Sequence, residues 1–256
     1  MASKGKLNIE NTRNTEPWTR WDIGRSQSTS SRIIEQVRNA LFRGELKSGD
    51  FLGSENDLAR YFEISRVPVR DAFQALQALG VIEVRVGANG GARIAVGDSS
   101  RFADALAVQL KLVGVSVEEM FDAQIAIEVM ATELAAQRAT VSDFEHLRVI
   151  LDELLSLSQR PLTKKAALKF TELSMRFHQA LVDAAHNRVL AAQFTALRFV
   201  LEPIYARRTT DAVAKRVVAS HKSVLDALVA RDIERACSVM RRRLQVIRAH
   251  QLLKTV

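Results

Sequence analysis

Cysteine occurs once in this chain, at Cys237, proline four times, and tryptophan and tyrosine twice each. A single thiol excludes an intramolecular disulfide framework and is what a reducing compartment leads one to expect. No stretch approaches the ~18 consecutive apolar residues that announce a membrane-spanning helix. The opening MASKGKLNIENTRNTEPW has no apolar core of signal-peptide type. These absences predict a soluble, cytoplasmic protein with no membrane partner.

Also missing are the loops that enzymes use to hold phosphate or present a nucleophile. No glycine-rich segment follows a strand and opens a helix, and there is no nucleophile elbow. What is present is basic charge: 37 Lys and Arg against 29 Asp and Glu, a formal net charge of +8. The excess is spread over both halves, so it favours a polyanionic partner without locating a binding face. With 256 residues there is room for one large domain or two ordinary ones.

Residues 1–28 are polar apart from Trp18 and Trp21 and read as a flexible N-terminal arm. Ser30 or Ser31 is expected to cap a helix from Arg32 to about Gly44, with Ile33, Ile34, Val37, Ala40 and Leu41 on one stripe. KSGD is a turn. Ser54 and Asp57 form a capping box opening a short helix to about Phe62. A third helix starts after a cap at Ser65, carries Pro68 in its first turn and ends at Gly80. VIEVRV and ARIAV then flank the glycine-rich GANGG as a hairpin. Residues 97–101, containing GDSS, make the linker. From 102 to 256 only helical patterning follows, with segments near 102–113, 117–139, 141–158, 162–186, 187–207, 209–230 and 232–252, two of them interrupted at Pro161 and Pro203. The expected fold is mainly α: an N-terminal winged helix-turn-helix over 29–96 with a small β-hairpin wing, then an all-α antiparallel helical bundle.

The third helix carries the chemistry. Val69, Ala72, Phe73, Leu76 and Leu79 are expected to pack inward, while Arg66, Arg70, Gln74 and Gln77 share another face. Cations in a first turn oppose the helix dipole, so an outside anion explains them better than packing does. A helix entering a DNA major groove by its N-terminal end would set Arg66 and Arg70 against base edges, where arginine forks onto guanine. Glycines 87, 90 and 91, with Arg85 and Arg93 nearby, would bring the hairpin backbone close to the sugar-phosphate surface.

The run LFRGELKSGDFLGSENDLARYFEISRVPVRDAFQALQALGVIEVRVGANGGARI resembles the DNA-binding domain of the GntR family of bacterial transcription regulators. That resemblance implies base-contacting arginines at Arg66 and Arg70, with Val67 between them on the reading face, and a wing-tip glycine at Gly87. A third family arginine falls on Asn56, which implies an altered operator preference. A homodimer on a palindromic double-stranded operator is implied as well.

Three stretches, MFDAQIAIEVMATELAAQRAT, FHQALVDAAHNRVL and SHKSVLDALVARDIERA, make 102–250 similar to the effector-binding (FCD) domain of the FadR-like subfamily. In that subfamily these stretches line a cavity where a metal held by one Asp and three His meets a small carboxylate. Here His178 and His221 stand at two histidine positions, Ser174 replaces the Asp, Arg243 the last His, and Gln124 an effector-binding Arg. Three readings stay open. The histidines are hydrogen-bonded core residues; or they hold zinc or a similar ion; or the pocket is metal-free and Arg243 meets a carboxylate effector, helped by His178, His221, Ser174 and Gln124. No cofactor is expected.

Glu128 would orient a pocket residue or pair with a cation, or, in a remote hydrolase reading, serve as base. Asn187 is expected to cap a helix and His186 to lie on the surface. Arg241, Arg242 and Arg243 with Arg248 and Lys254 read as a solvated basic face, apart from the inward role just given to Arg243. A ligand-responsive repressor is the expected function, its effector changing how two winged domains meet successive major grooves. A protein binding DNA by charge alone would instead show steep salt dependence and little sequence preference.

Overall fold

The computed structural model describes residues 28–87 and 90–252. The N-terminal arm expected over 1–28, with Trp18 and Trp21, lies outside the described residues except for Ser28, as do two residues of the expected hairpin turn. The chain divides into two compact units between Asp98 and Ser99.

In the first unit the order is α1 (Thr29–Phe42), β1 (Phe51–Gly53), α2 (Glu55–Tyr61), α3 (Arg66–Ala78), β2 (Ile82–Arg85) and β3 (Gly91–Ile94). The cap of α1 is Ser28, whose hydroxyl accepts from the Ser31 backbone N–H, rather than Ser30 or Ser31. In a run of four hydroxyl residues every one is a competent cap, so the pattern could not choose. The capping box of α2 forms as expected, with Ser54 and Asp57 exchanging side-chain-to-backbone bonds. Ser65 stands at the start of α3 in extended geometry but makes no side-chain cap bond. A capping hydroxyl normally takes the second or third helical N–H, and the third here belongs to Pro68, which has none.

Ile33, Val37 and Ala40 of α1 and Val69, Ala72, Phe73 and Leu76 of α3 are buried together with Leu52, Leu58, Ile82, Ala92 and Ile94. Leu79, expected on the inward stripe, is 68% exposed, because it is the C-cap residue where the chain turns toward Gly80 and leaves the core face. The wing is three-stranded, not two-stranded: the sheet order is β1-β3-β2, all antiparallel, with Ile82 opposite Ile94 and Val84 opposite Ala92. Gly91 lets this sheet close. It has φ 145°, and a Cβ there would come within 2.8 Å of the Phe51 ring.

The second unit is helical among the described residues: α4 (Ser99–Val113), α5 (Val117–Arg138), α6 (Val141–Ser158), α7 (Lys164–Asp183), α8 (Arg188–Ala206), α9 (Asp211–Val229) and α10 (Ile233–Leu252). Helix α4 begins at Ser99, inside the linker expected over 97–101, since nothing in SSRF opposes a helical start. Phe121, Leu147, Leu154, Phe170, Phe177, Phe194 and Leu228 are among the residues filling its core. Ser116 and Thr140 open α5 and α6 with full capping boxes.

Arg231 locks the end of α5, donating to the carbonyls of Ala136 at 2.9 Å and Ala139 at 2.5 Å while lying over the Phe144 ring. A cation there meets the negative end of the helix dipole and the last unpaired carbonyls. Pro203 does not interrupt its segment; α8 continues past it to Ala206. That helix is apolar and long enough to cross a membrane by composition alone. Its buried Phe194, Ala196, Leu197 and Leu201, and its internal Arg198–Glu202 ion pair, make it a helix of the bundle.

Candidate functional sites

Two groups of side chains stand out, one in each unit. On the first, α3 buries one face and offers the other to solvent. Arg66 and Arg70 are more than half exposed, Val67 is 62% exposed, and Gln74 and Gln77 are exposed. Both arginines turn toward one carboxylate. Oε2 of Glu55, the first residue of α2, accepts from Arg70 Nε at 3.3 Å and lies 3.5 Å from Arg66 Nη2. Asn56, next to it, is exposed. The sequence reading passed over Glu55, whose spacing from the two arginines carries no periodic signal.

In the wing, Arg85 ends β2 and is exposed. Gly87 follows with φ 130°, a backbone conformation that side chains rarely adopt, and among the described residues beyond its chain neighbours no heavy atom lies within 4 Å of where a Cβ would stand. Arg93, by contrast, is held at the base of the sheet. It donates to the Gly49 carbonyl at 3.2 Å and lies over the Phe51 ring, 5.0 Å from its centroid. Its cation serves the wing's own packing.

The second group lies inside the bundle and joins five helices. Gln124, Glu128, Ser174, His178 and His221 are all buried. Arg243 is half-buried and reaches in from α10, donating from Nη1 to Nε2 of His178 at 2.6 Å. Arginine can only donate, so Nε2 must keep its lone pair and the imidazole proton must sit on Nδ1. That Nδ1–H donates to Oε2 of Glu128. The other oxygen of Glu128 accepts from the Gln124 amide at 2.6 Å, and the Gln124 carbonyl oxygen accepts from the Tyr205 hydroxyl at 2.8 Å. One continuous chain therefore runs Arg243–His178–Glu128–Gln124–Tyr205.

His221 sits beside it, bonded through Nε2 to the Ser174 hydroxyl at 3.2 Å and stacked on Phe177 at 4.2 Å between ring centroids. The two imidazoles meet edge to face, 5.0 Å apart. Burial, with Arg243 nearby, holds the pKa of His221 well below the usual histidine value. Burial lowers His178 too, Glu128 opposing that shift and Arg243 adding to it. Desolvation likewise lowers Arg243 and raises the Tyr205 phenol.

All five expected pocket residues are thus in one neighbourhood, with Glu128 in the orienting role. Tyr205 was missed, since nothing about one tyrosine after Pro203 marks it in the sequence. These donors do not fit a divalent cation. The His178 nitrogen that could ligate already takes a guanidinium bond, and a fixed cation there repels a second one. Among the described residues no three His, Cys, Asp or Glu side chains converge as a metal cluster.

Other expectations resolve simply. Asn187 caps α8, its side chain accepting from the backbone of Val189 and Leu190. His186 is exposed and bonds Asp143 at 2.9 Å. Arg241 and Arg242 are exposed, whereas Arg248 pairs with Glu118 and Asp122 on α5, and Lys254 lies outside the described residues.

A winged helix-turn-helix with arginines on its recognition helix, followed by an all-helical unit with a polar interior, defines a DNA-binding transcription regulator with an effector domain. Residues 29–90 match the model of the bacterial regulatory proteins of the gntR family, and 119–246 that of the FCD domain. The chain belongs to the GntR family and carries an FCD domain; it is a transcription regulator and not an enzyme.

It is 32% identical over 148 residues to the HTH-type transcriptional regulator LutR of Bacillus subtilis (strain 168), a match spanning 57% of this chain and 64% of LutR. It is 25% identical over 209 residues to the galactonate operon transcriptional repressor of Escherichia coli (strain K12), covering 79% and 88% of the two chains. In fold it is similar to Streptococcus agalactiae GntR, with a TM-score of 0.58 at 16% identity over 86% of this chain and 99% of that one.

Proposed function

We propose that this protein is a dimeric cytoplasmic repressor that binds a palindromic operator and is controlled by a small carboxylic acid, without a metal. For DNA, the observation that carries the reading is the exposure of Arg66 and Arg70 on the first turns of α3, whose opposite face is buried. Val67 lies between them, Asn56 stands beside their carboxylate partner, and Arg85 and Gly87 approach the flanking backbone. Asn56, uncharged where the family has arginine, gives up one cationic contact and so shifts the preferred operator.

For the effector, the carrying observation is the direction of Arg243. Its guanidinium donates to a neutral imidazole, while the buried carboxylate of Glu128 takes its bonds from His178 and Gln124. A guanidinium turned into a bundle interior is the group best suited to fork onto an incoming carboxylate. His178, His221, Ser174 and Gln124 line the same place. The relative named for the operon of galactonate, a sugar acid, accords with this chemistry.

The acid changes operator affinity by favouring one arrangement of the two winged domains over another. The test is a set of thermal melts against a panel of small carboxylates, each with and without chelator. A ligand at ~100 times its dissociation constant adds about 2.7 kcal/mol. A chelator-insensitive rise with one acid class supports the reading. A midpoint that falls with chelator alone refutes the metal-free pocket, and no rise with any acid refutes the carboxylate.

A further inference from the structure

Glu55 performs two tasks that can be separated. As the first residue of α2 it places a carboxylate at the positive end of a helix, which is favourable wherever its side chain points. That task needs no contact with α3, and the capping box of Ser54 and Asp57 already closes the helix start. Yet Glu55 Oε2 lies within 3.3 Å of Arg70 Nε and 3.5 Å of Arg66 Nη2, on a different helix.

The two guanidinium groups stand one turn apart at the positive end of α3, where they repel each other and the helix dipole. Their exposure, 56% and 51%, leaves both free to swing when nothing holds them. A shared carboxylate answers both problems. Because Arg70 is held through Nε, its two terminal nitrogens stay available as the fork that guanine O6 and N7 accept. Restrained side chains also lose less conformational freedom on docking.

We infer that Glu55 is a specificity-determining positioning residue. It aligns Arg66 and Arg70 for base reading, and its negative charge keeps phosphate attraction from masking the differences between bases. Binding to any duplex rises with the number of phosphates neutralised, whatever the sequence. A carboxylate among the reading cations penalises docking in which they merely face phosphate, and costs little where they face guanine.

The experiment compares full-length wild type, Glu55→Gln and Glu55→Asp. Each is first put through selection from a random duplex library. Affinity is then measured for the wild-type consensus duplex and for a scrambled duplex over a range of salt. Glu55→Gln is expected to bind the scrambled duplex more tightly, with a salt slope steeper by about one. It gains nothing on the consensus, so the specificity ratio falls roughly 10-fold and the guanine positions of its own consensus broaden. Glu55→Asp keeps the charge at the start of α2 but is too short to hold both arginines. It is expected to melt like wild type and still lose discrimination, which separates positioning from folding.

An unchanged ratio and consensus in both variants, with a lowered midpoint in Glu55→Gln, overturn the inference and leave Glu55 as a helix-start charge. A clean exchange of one preferred base also overturns it, since that marks direct contact. If wild type selects no motif, base reading by Arg66 and Arg70 falls together with the inference.

Discussion

Arg243 on α10 and His178 on α7 are joined by a hydrogen bond of 2.6 Å that only a neutral imidazole can accept. The bond orders the whole buried chain, because it decides which nitrogen of His178 faces Glu128. It also means that the cation in the bundle is held by the weaker of the two partners it could have had. A carboxylate brought from outside outcompetes imidazole for guanidinium.

Replacing Arg243 with alanine is therefore expected to weaken binding of the responsive acid by about 1.5–3 kcal/mol, or roughly 10- to 150-fold. Titration calorimetry with the acid identified in the melting panel measures it. Arg243→Lys is expected to recover little, since a point charge lacks the planar fork. An alanine variant that binds as tightly as wild type removes Arg243 from the effector site.

Acid sensitivity follows from the two buried histidines. Both have pKa values lowered in the folded state by burial, so the unfolded chain takes up protons that the folded one refuses. Stability is then fully present above the ordinary histidine pKa of about 6.5 and is lost as pH falls below it toward the folded values. Melting midpoints are expected to decline between pH 7 and 5. His221→Asn, which cannot titrate there, is expected to start lower and to decline less steeply; an equal slope would assign the acid sensitivity elsewhere.

Tyr205 donates its hydroxyl to Gln124 from α8. Tyr205→Phe leaves the Gln124 oxygen without that donor in a buried place, at a cost of about 1–3 kcal/mol. Urea denaturation should show it as a lower midpoint at unchanged slope. A loss well below 0.5 kcal/mol would mean that water replaces the phenol.

Asn187 lies close in sequence to residues that the family places near its ligand, but its side chain is spent on capping α8. Asn187→Ala should cost about 0.5–2 kcal/mol of stability. The stabilisation produced by the acid should stay as it is in wild type. A variant that melts normally but no longer responds would reverse both statements.

Where the sequence spoke clearly, one residue's neighbours in the chain were enough. Ser54 with Asp57, Asn187 before α8 and the buried stripe of α3 are local patterns, and each survives folding. The failures are equally local in cause. Ser65 looked like a cap until Pro68 is counted as lacking the N–H it would bind. Leu79 fits the stripe by spacing, yet the helix ends beneath it. Strand β1 is three residues long, too short for alternation to register.

The site residues that escaped notice are those joined only through space. Glu55 meets α3 across a turn, and Tyr205 meets Gln124 between α8 and α5. Family resemblance pointed to the neighbourhood of His178 and His221, but the direction of Arg243 and the tautomer of His178 are facts of packing that no spacing rule supplies.

The guanidinium of Arg243 has one further consequence. A receptor that borrows a zinc ion answers to two supplies at once, the signal and the ion, and falls silent when either runs short. On the metal-free reading proposed above, a positive charge encoded in the gene itself ties the response to the signal alone, in starved and replete cells alike.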